Sequence, residues 1–344
     1  MKIKLKVAPI LFLFLVLVGC YHQPTVREPE YDIFVFAETD DWQHIEGPLC
    51  QIFEKEIRTP QLEKLFTIHY ADFSKLEKLS VRKNLLFVST LESQGEIATI
   101  VKNMVRSPEM VRKIQQGKYF IFKKENQWVE NQLLIALIAA NRDSLVAKLH
   151  RNAQKLYNLF DKHNRKILLR TMYAQLENKK LEKQLLDKYG WSLRVQHDYF
   201  LVKETSTNGG FVFLRRSFPE RWLFVHWVQT DDATKLMTPE WCLNRRDWIG
   251  KKFYENDRVN REFTTVKLSE FNGRLAYEVT GLWENEEKIA GGPYKAYIFY
   301  DEPTHRVYMI DIAVFAPNKR KLPYLAQLDV MAHTFTTRQE FEKK

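Results

Sequence analysis

Lys2, Lys4 and Lys6 precede an unbroken apolar run from Val7 to Val18, and the run stops at Gly19-Cys20. A helix of about a dozen residues rises roughly 18 Å, well short of the ~30 Å hydrocarbon core of a bilayer. A positive start, a short apolar centre and a small residue at the end describe a secretory leader, not a spanning helix. Everything downstream is constrained by this. Residues 1–19 drop out of the fold, and the remainder must build a water-soluble body outside the cytosol.

The leader closes on Leu17-Val18-Gly19-Cys20, which resembles a bacterial lipobox. That motif implies a diacylglycerol thioether on Cys20 and a cut that leaves Cys20 at the new N-terminus. Two or three acyl chains, at ~0.8 kcal/mol per buried methylene, anchor a protein stably where one does not. The competing reading is an ordinary signal peptide with an incidental cysteine. Residues 20–30 are the expected lipidated cysteine and tether, since "YHQPTVREPE" has two prolines and no apolar period. The membrane, reached through N-terminal acyl chains, is the first expected partner. The expected location is the cell envelope, at the periplasmic face of the outer membrane.

A chain that is 45% hydrophobic and 13% aromatic can bury real cores. Its net charge of +10 is unevenly spread: residues 21–100 carry −6, residues 101–190 carry +11, and residues 191–344 carry +2. A uniformly basic protein would suggest nucleic acid; here one central segment holds the excess, and no nucleic-acid partner is expected. The segment reads as a solvated helix face, or as a contact for anionic headgroups or an acidic partner. Cys50 and Cys242 lie far apart in sequence and read as two separate buried thiols. Neither has a second ligand at zinc-like spacing, so no metal and no cofactor are expected.

The pattern along the chain predicts an α+β protein of two lobes. Strands "YDIFVFAE", "LFTIHYA", "NLLFVST" and "KYFIFKKENQW" alternate with helices, one of them opened by Ser107-Pro108 and closed by Gly117. This predicts a layered α/β domain over 31–129. Residues 130–189 form a basic amphipathic helical connector, in which "LLIALIAA" packs on the first domain and His150 and His163 are edge residues. Beyond Gly190 the period becomes two, Thr238-Pro239 starts a helix, and a meander follows. Residues 190–338 are thus an antiparallel sheet with covering helices, PsbP/Mog1-like by analogy, and 339–344 form a tail.

No nucleophile elbow, P-loop, HExxH or dinucleotide glycine pattern is present. The C-terminal sheet supplies the candidates. Gly281, Gly291, Gly292 and Pro293 flank two strands, and glycine there permits positive φ or a close backbone approach. Tyr277, Val279 and Trp283 alternate onto one face, and Tyr294 opens the next strand. With Arg274 as an anion contact, these residues describe an aromatic groove for a glycan or peptide; the alternative is a well-packed sheet. Glu278 and Asp311 interrupt apolar strands. Facing one another, they would serve as acid and base in glycoside cleavage; otherwise each points at solvent or meets an arginine. His226 reads as a satisfied core histidine.

Three stretches, "NGRLAYEVTGLWE" (272–284), "GGPYKAYIFYDE" (291–302) and "APNKRKLPYLAQLDVM" (316–331), together with "YDIFVFAETDDWQ" near the start, carry a resemblance. They are similar to a lipoprotein family of Bacteroidetes catalogued only as a domain of unknown function. The resemblance implies an envelope lipoprotein and carries over no catalytic residue. Surface-exported lipoproteins of that phylum often place acids directly after the cysteine, whereas here the first is Glu28. The function expected is a non-enzymatic binding or scaffolding component with an envelope protein or glycan as partner. The alternative is an envelope glycan or peptidoglycan hydrolase.

Overall fold

The computed structural model describes residues 31–174, 176–206 and 209–343. The leader, Cys20 and the tether lie outside the described residues. The first lobe runs β1 (Asp32–Phe36), α1 (Thr39–Phe53), a small hairpin β2 (Glu56–Arg58) and β3 (Leu62–Lys64), then β4 (Thr67–Ala71), α2 (Leu76–Leu79), β5 (Asn84–Thr90), α3 (Glu96–Asn103), α4 (Pro108–Gln115), β6 (Ile121–Glu125), β7 (Leu133–Ala139), α5 (Arg142–Arg151) and α6 (Ala153–Met172). Its sheet has the order β4-β1-β5-β7-β6; only β6 is antiparallel to its neighbour. Helices cover both faces, giving one core against α1, α5 and α6 and another against α3 and α4.

"LLIALIAA" corrects the expected boundary at 129. It is strand β7, buried at every position and paired with β5. A strand covered on both faces is apolar throughout, and an apolar run without alternation cannot be told from a buried helix by period alone. The basic segment that follows is three helices, broken at Asn152 and near Tyr173. His163 is buried rather than at an edge, with a ring nitrogen 3.1 Å from the Asn131 carbonyl.

The second lobe continues with α7 (Lys179–Tyr189), β8 (Trp191–Ser192), β9 (Phe200–Thr205), β10 (Gly210–Arg216), β11 (Glu220–Gln229), α8 (Pro239–Phe253), β12 (Arg258–Phe271), β13 (Arg274–Asn285), β14 (Ala290–Asp301), β15 (Arg306–Phe315), α9 (Leu322–Ala332), β16 (Thr336–Thr337) and α10 (Arg338–Glu342). Its seven-stranded antiparallel sheet has the order β12-β13-β14-β15-β11-β10-β9. Thr238 caps α8 by accepting the Trp241 N–H, as its sequence predicts. Helix α8 covers one face of this sheet, while α7 and α9 cover the other.

Two helices belong to both lobes. Leu156 and Phe160 of α6 sit in the first core, and Leu168 and Met172 in the second. In α9, Leu322 joins the first core and Leu328 and Met331 the second. Glu63 of the β2–β3 hairpin accepts the backbone N–H groups of Lys321 and Leu322 at the start of α9. Arg165 of α6 pairs with Asp161 at 2.8 Å and with buried Asp329 of α9 at 2.5 Å. Burial alone would raise the Asp329 carboxyl, but Lys295, Arg165 and His333 hold it well below the usual carboxylate range.

Candidate functional site

Open α/β sheets bind ligands beyond the carboxyl ends of their strands, where strand order reverses. In the first lobe that place lies between β1 and β5, and the chain fills it with its own acids. Glu38 accepts the N–H groups of Ile97 (2.9 Å) and Ala98 (3.1 Å), so a carboxylate already occupies the start of α3. Buried Asp41 takes the Ser93 hydroxyl and pairs with Arg142 at 2.9 Å. A carboxylate thus stands where such a fold would seat a phosphate, in keeping with the missing glycine pattern.

In the second lobe the expected groove is dispersed. Strand β13 rises about 3.3 Å per residue, so Arg274 at its start and Trp283 near its end stand roughly 30 Å apart. Arg274 is bound to Asp301 at 2.9 Å and to Glu340 at 2.5 Å, and so is not a free anion contact. Gly281, Gly291, Gly292 and Pro293 lie within the β13–β14 ladder, opposite Tyr294, Glu284, Trp283 and Leu282. Of the two uses offered for these glycines, close approach is the one found: a Cβ at Gly292 would stand 2.0 Å from the Val314 carbonyl oxygen. Tyr277, Trp283 and Tyr294 do share the α8 face, but Trp283 and Tyr294 are core residues and Tyr277 is half-buried.

The two carboxylates are on opposite faces of the sheet. Glu278 lies opposite Tyr297, on the α9 side, and pairs with Lys267 at 2.9 Å and Lys295 at 3.7 Å. Asp311 lies opposite Ala296, under α8, and accepts from Arg246 at 3.4 Å. They cannot act together as acid and base. His226 is the satisfied core histidine expected: Nδ1 lies 2.7 Å from the Gly210 carbonyl oxygen, and Nε2 accepts from Arg245 at 2.9 Å. Burial, and then Arg245, bring its pKa down to about 3. Cys242 is buried, whereas Cys50 is only half-buried; both are free thiols in separate lobes.

An aromatic site does exist, and of the expected groove residues it keeps Trp283. A trough of about 270 Å³ crosses the end of the sheet beyond the last turn of α8. Phe213, Trp222, Trp283 and Phe315 contribute its rings from four strands, and Phe253 and Tyr254 from the end of α8. Lys203, Arg215, Glu220 and Asp257 supply polar groups, with Arg215 paired to Glu220 at 3.0 Å. The hairpin tips at this end of the sheet expose Phe218 and Ile289 almost completely.

The trough is unusual in its donors. The Trp222 indole N–H and the Tyr254 hydroxyl are buried yet have no protein partner. Burial, and then Asp311, push the Tyr254 hydroxyl far up, so it stays protonated and able to donate. Behind Tyr254, buried Arg246 stacks 4.7 Å from the Tyr294 ring, and neither of its terminal nitrogens has a protein partner. Burial raises Asp311 to about 6 against the pull of Arg246. Buried polar groups are nearly always satisfied, and a cluster that is not calls for an explanation. Among the described residues no group of three His, Cys, Asp or Glu could hold a metal.

Sequence reading missed Trp222, Arg246 and Tyr254. The signal for Arg246 was present: it lies on the buried stripe Cys242–Arg246–Ile249 of α8, just as Asp311 lies in an apolar strand. Opposite charges on two apolar stripes mark a buried pair.

Residues 28–173 match the family model described as Domain of unknown function (DUF8532), and residues 177–334 match Domain of unknown function (DUF4837). No curated protein matches the chain in sequence. Among solved structures, PsbP of Synechocystis sp. PCC 6803 is 12% identical, covering 43% of this chain and 86% of its own, with a TM-score of 0.31. The Ran-binding protein Mog1p of Saccharomyces cerevisiae is 10% identical over 43% of this chain and 90% of its own, TM-score 0.29. LpqN of Mycobacterium tuberculosis, described as involved in cell envelope biogenesis, is 13% identical over 42% of this chain and 82% of its own, TM-score 0.28. The two lobes thus match, one each, two families of domains of unknown function, DUF8532 and DUF4837.

Proposed function

We propose that this chain is a non-enzymatic binding protein of the cell envelope, anchored at the periplasmic face of the outer membrane through acyl chains on Cys20, and that its second-lobe trough receives a glycan ring. The leader and its Leu-Val-Gly-Cys ending support the anchor, and mass spectrometry of the mature N-terminus tests it. Among the described residues no helix is long and apolar enough to cross a membrane.

The observation that carries the binding role is the pair of buried, unpartnered donors, Trp222 Nε1 and Tyr254 Oη, set among aromatic rings. A sugar ring offers C–H faces to indole and phenyl planes, and hydroxyls that take such donors and the Glu220 carboxylate. At about 270 Å³ the trough falls just below the ~300–1,000 Å³ range for ligand clefts, which suits one ring and not a dinucleotide. A hydrolase reading has lost its acid and base pair, because Glu278 and Asp311 lie on opposite faces.

Titration with soluble peptidoglycan and glycan fragments, followed by tryptophan fluorescence, tests this reading. Tyr254→Phe keeps the ring and removes one hydrogen bond, and should weaken binding about 10-fold. Equal affinity for the variant, or a response only to peptides, rejects the glycan.

A further inference from the structure

Part of the surplus positive charge of residues 101–190 lies on one face of α6. Along α6, Lys155, Lys162, Lys166 and Arg170 are exposed, and Arg151 at the end of α5 is exposed just before them. At 100° per residue the four on α6 fall within roughly one quarter of its circumference. Four other cations of the segment are paired: Lys113 with Glu109, Lys179 with Glu177, Lys183 with Asp187 and Lys188 with Glu204. Among the described residues none of these five has a carboxylate within ion-pair distance. The acids that border the stripe are committed elsewhere, Asp161 to Arg165 and Glu125 to Lys123. A row of like charges along about 22 Å of helix repels itself unless something anionic lies against it.

The point where the chain enters the fold says what that is. Tyr31, the first described residue, packs edge-on to Phe66 and lies in the field of Arg165, Asp161 and Tyr157. All three of those residues are on α6, so the tether leaves the body beside this helix. Ten residues lie between Cys20 and Tyr31, and the eleven steps span at most about 40 Å, whatever their conformation.

We infer that the exposed face of α6 lies against anionic phospholipid headgroups of the bilayer that holds Cys20. This rests on the anchor proposed above for its geometry, but not for its test. The two signals reinforce each other: acyl chains hold the protein at the surface, and the basic face sets which side is turned to it. The sheet end that carries the trough is then available to a ligand on another side.

A chain beginning at Tyr21 retains every described residue and both cores while lacking the acyl chains, so it reads the basic face alone. Co-sedimentation with phosphatidylcholine vesicles, with and without phosphatidylglycerol, should show binding only when phosphatidylglycerol is present, falling steeply as salt rises. Lys155→Glu/Lys162→Glu/Lys166→Glu should weaken that binding by about 100-fold. Lys78→Glu/Lys235→Glu/Lys251→Glu, an equal charge change at exposed sites elsewhere, should change it by no more than about threefold. Equal binding to neutral vesicles, equal loss in both triple variants, or capture by a soluble polyanion without vesicle binding would each overturn the inference. Failure here with an acylated Cys20 leaves the anchor standing; success with an unmodified Cys20 leaves the face standing without it.

Discussion

The two lobes differ in where they leave buried polar groups unanswered. In the first, Glu38 saturates the start of α3, Asp41 holds Arg142 and Ser93, and Gln132 donates to the carbonyls of Ser80 and Arg82. In the second, Arg246 has one long contact to Asp311, and Trp222 and Tyr254 have unanswered donors beside a trough. A fold gains nothing from unpaired buried donors, which cost roughly 1–3 kcal/mol each. The first lobe leaves Asn164 of α6 unpaired, but the second gathers its unpaired donors beside a trough, and is the one built to meet something else.

The contrast is most exposed at Arg246. Arg246→Ala strands the Asp311 carboxylate under α8 and should cost about 3–5 kcal/mol, read as a lower urea midpoint. Glu38→Ala in the first lobe removes only a helix-start carboxylate and should cost about 1 kcal/mol. If the two variants lose equal stability, the difference between the lobes is not energetic. Arg246→Met/Asp311→Leu should recover most of the loss, because the pair is replaced by apolar volume.

A second measurement sharpens the same comparison through His226, a buried polar group of the second lobe that is satisfied. Its folded pKa of about 3 lies below the ordinary 6.5 of an unfolded chain. Between those values the unfolded state binds a proton that the folded state refuses, so stability rises with pH. This contribution is complete above about pH 6.5 and is lost as pH falls toward 3, at about 1.4 kcal/mol per pH unit. His226→Gln should flatten the slope of unfolding free energy between pH 4 and 6 by about one proton. An unchanged slope would place the imidazole in contact with water.

How much of this was legible depended on what each residue's neighbours are. "NLLFVST" gave β5 at its true limits, and Thr238-Pro239 gave the start of α8, because both are local signals. Strand β7 was hidden by its uniform burial. Strand β12 was hidden by its exposure, since an edge strand reading "RVNREFTTVKLSEF" has little apolar alternation to find. The expected groove does not form because adjacency in a hairpin is not adjacency in space; Arg274 and Trp283 share a strand but occupy opposite ends of it. The trough draws its rings from β10, β11, β13, β15 and the end of α8, a convergence that exists only once the meander has closed.

Helix α6 has a consequence for how the two families of domain can exist. The boundary between the matched regions falls at 173–177, just past a helix whose last turns plug the neighbour's interior with Leu168, Met172 and Tyr173. Cutting there would uncork the second body on one side, while losing α9 would take Leu322 and Leu325 out of the first core. Each half is the other's missing wall, so the pair should be inherited, expressed and unfolded as a single object.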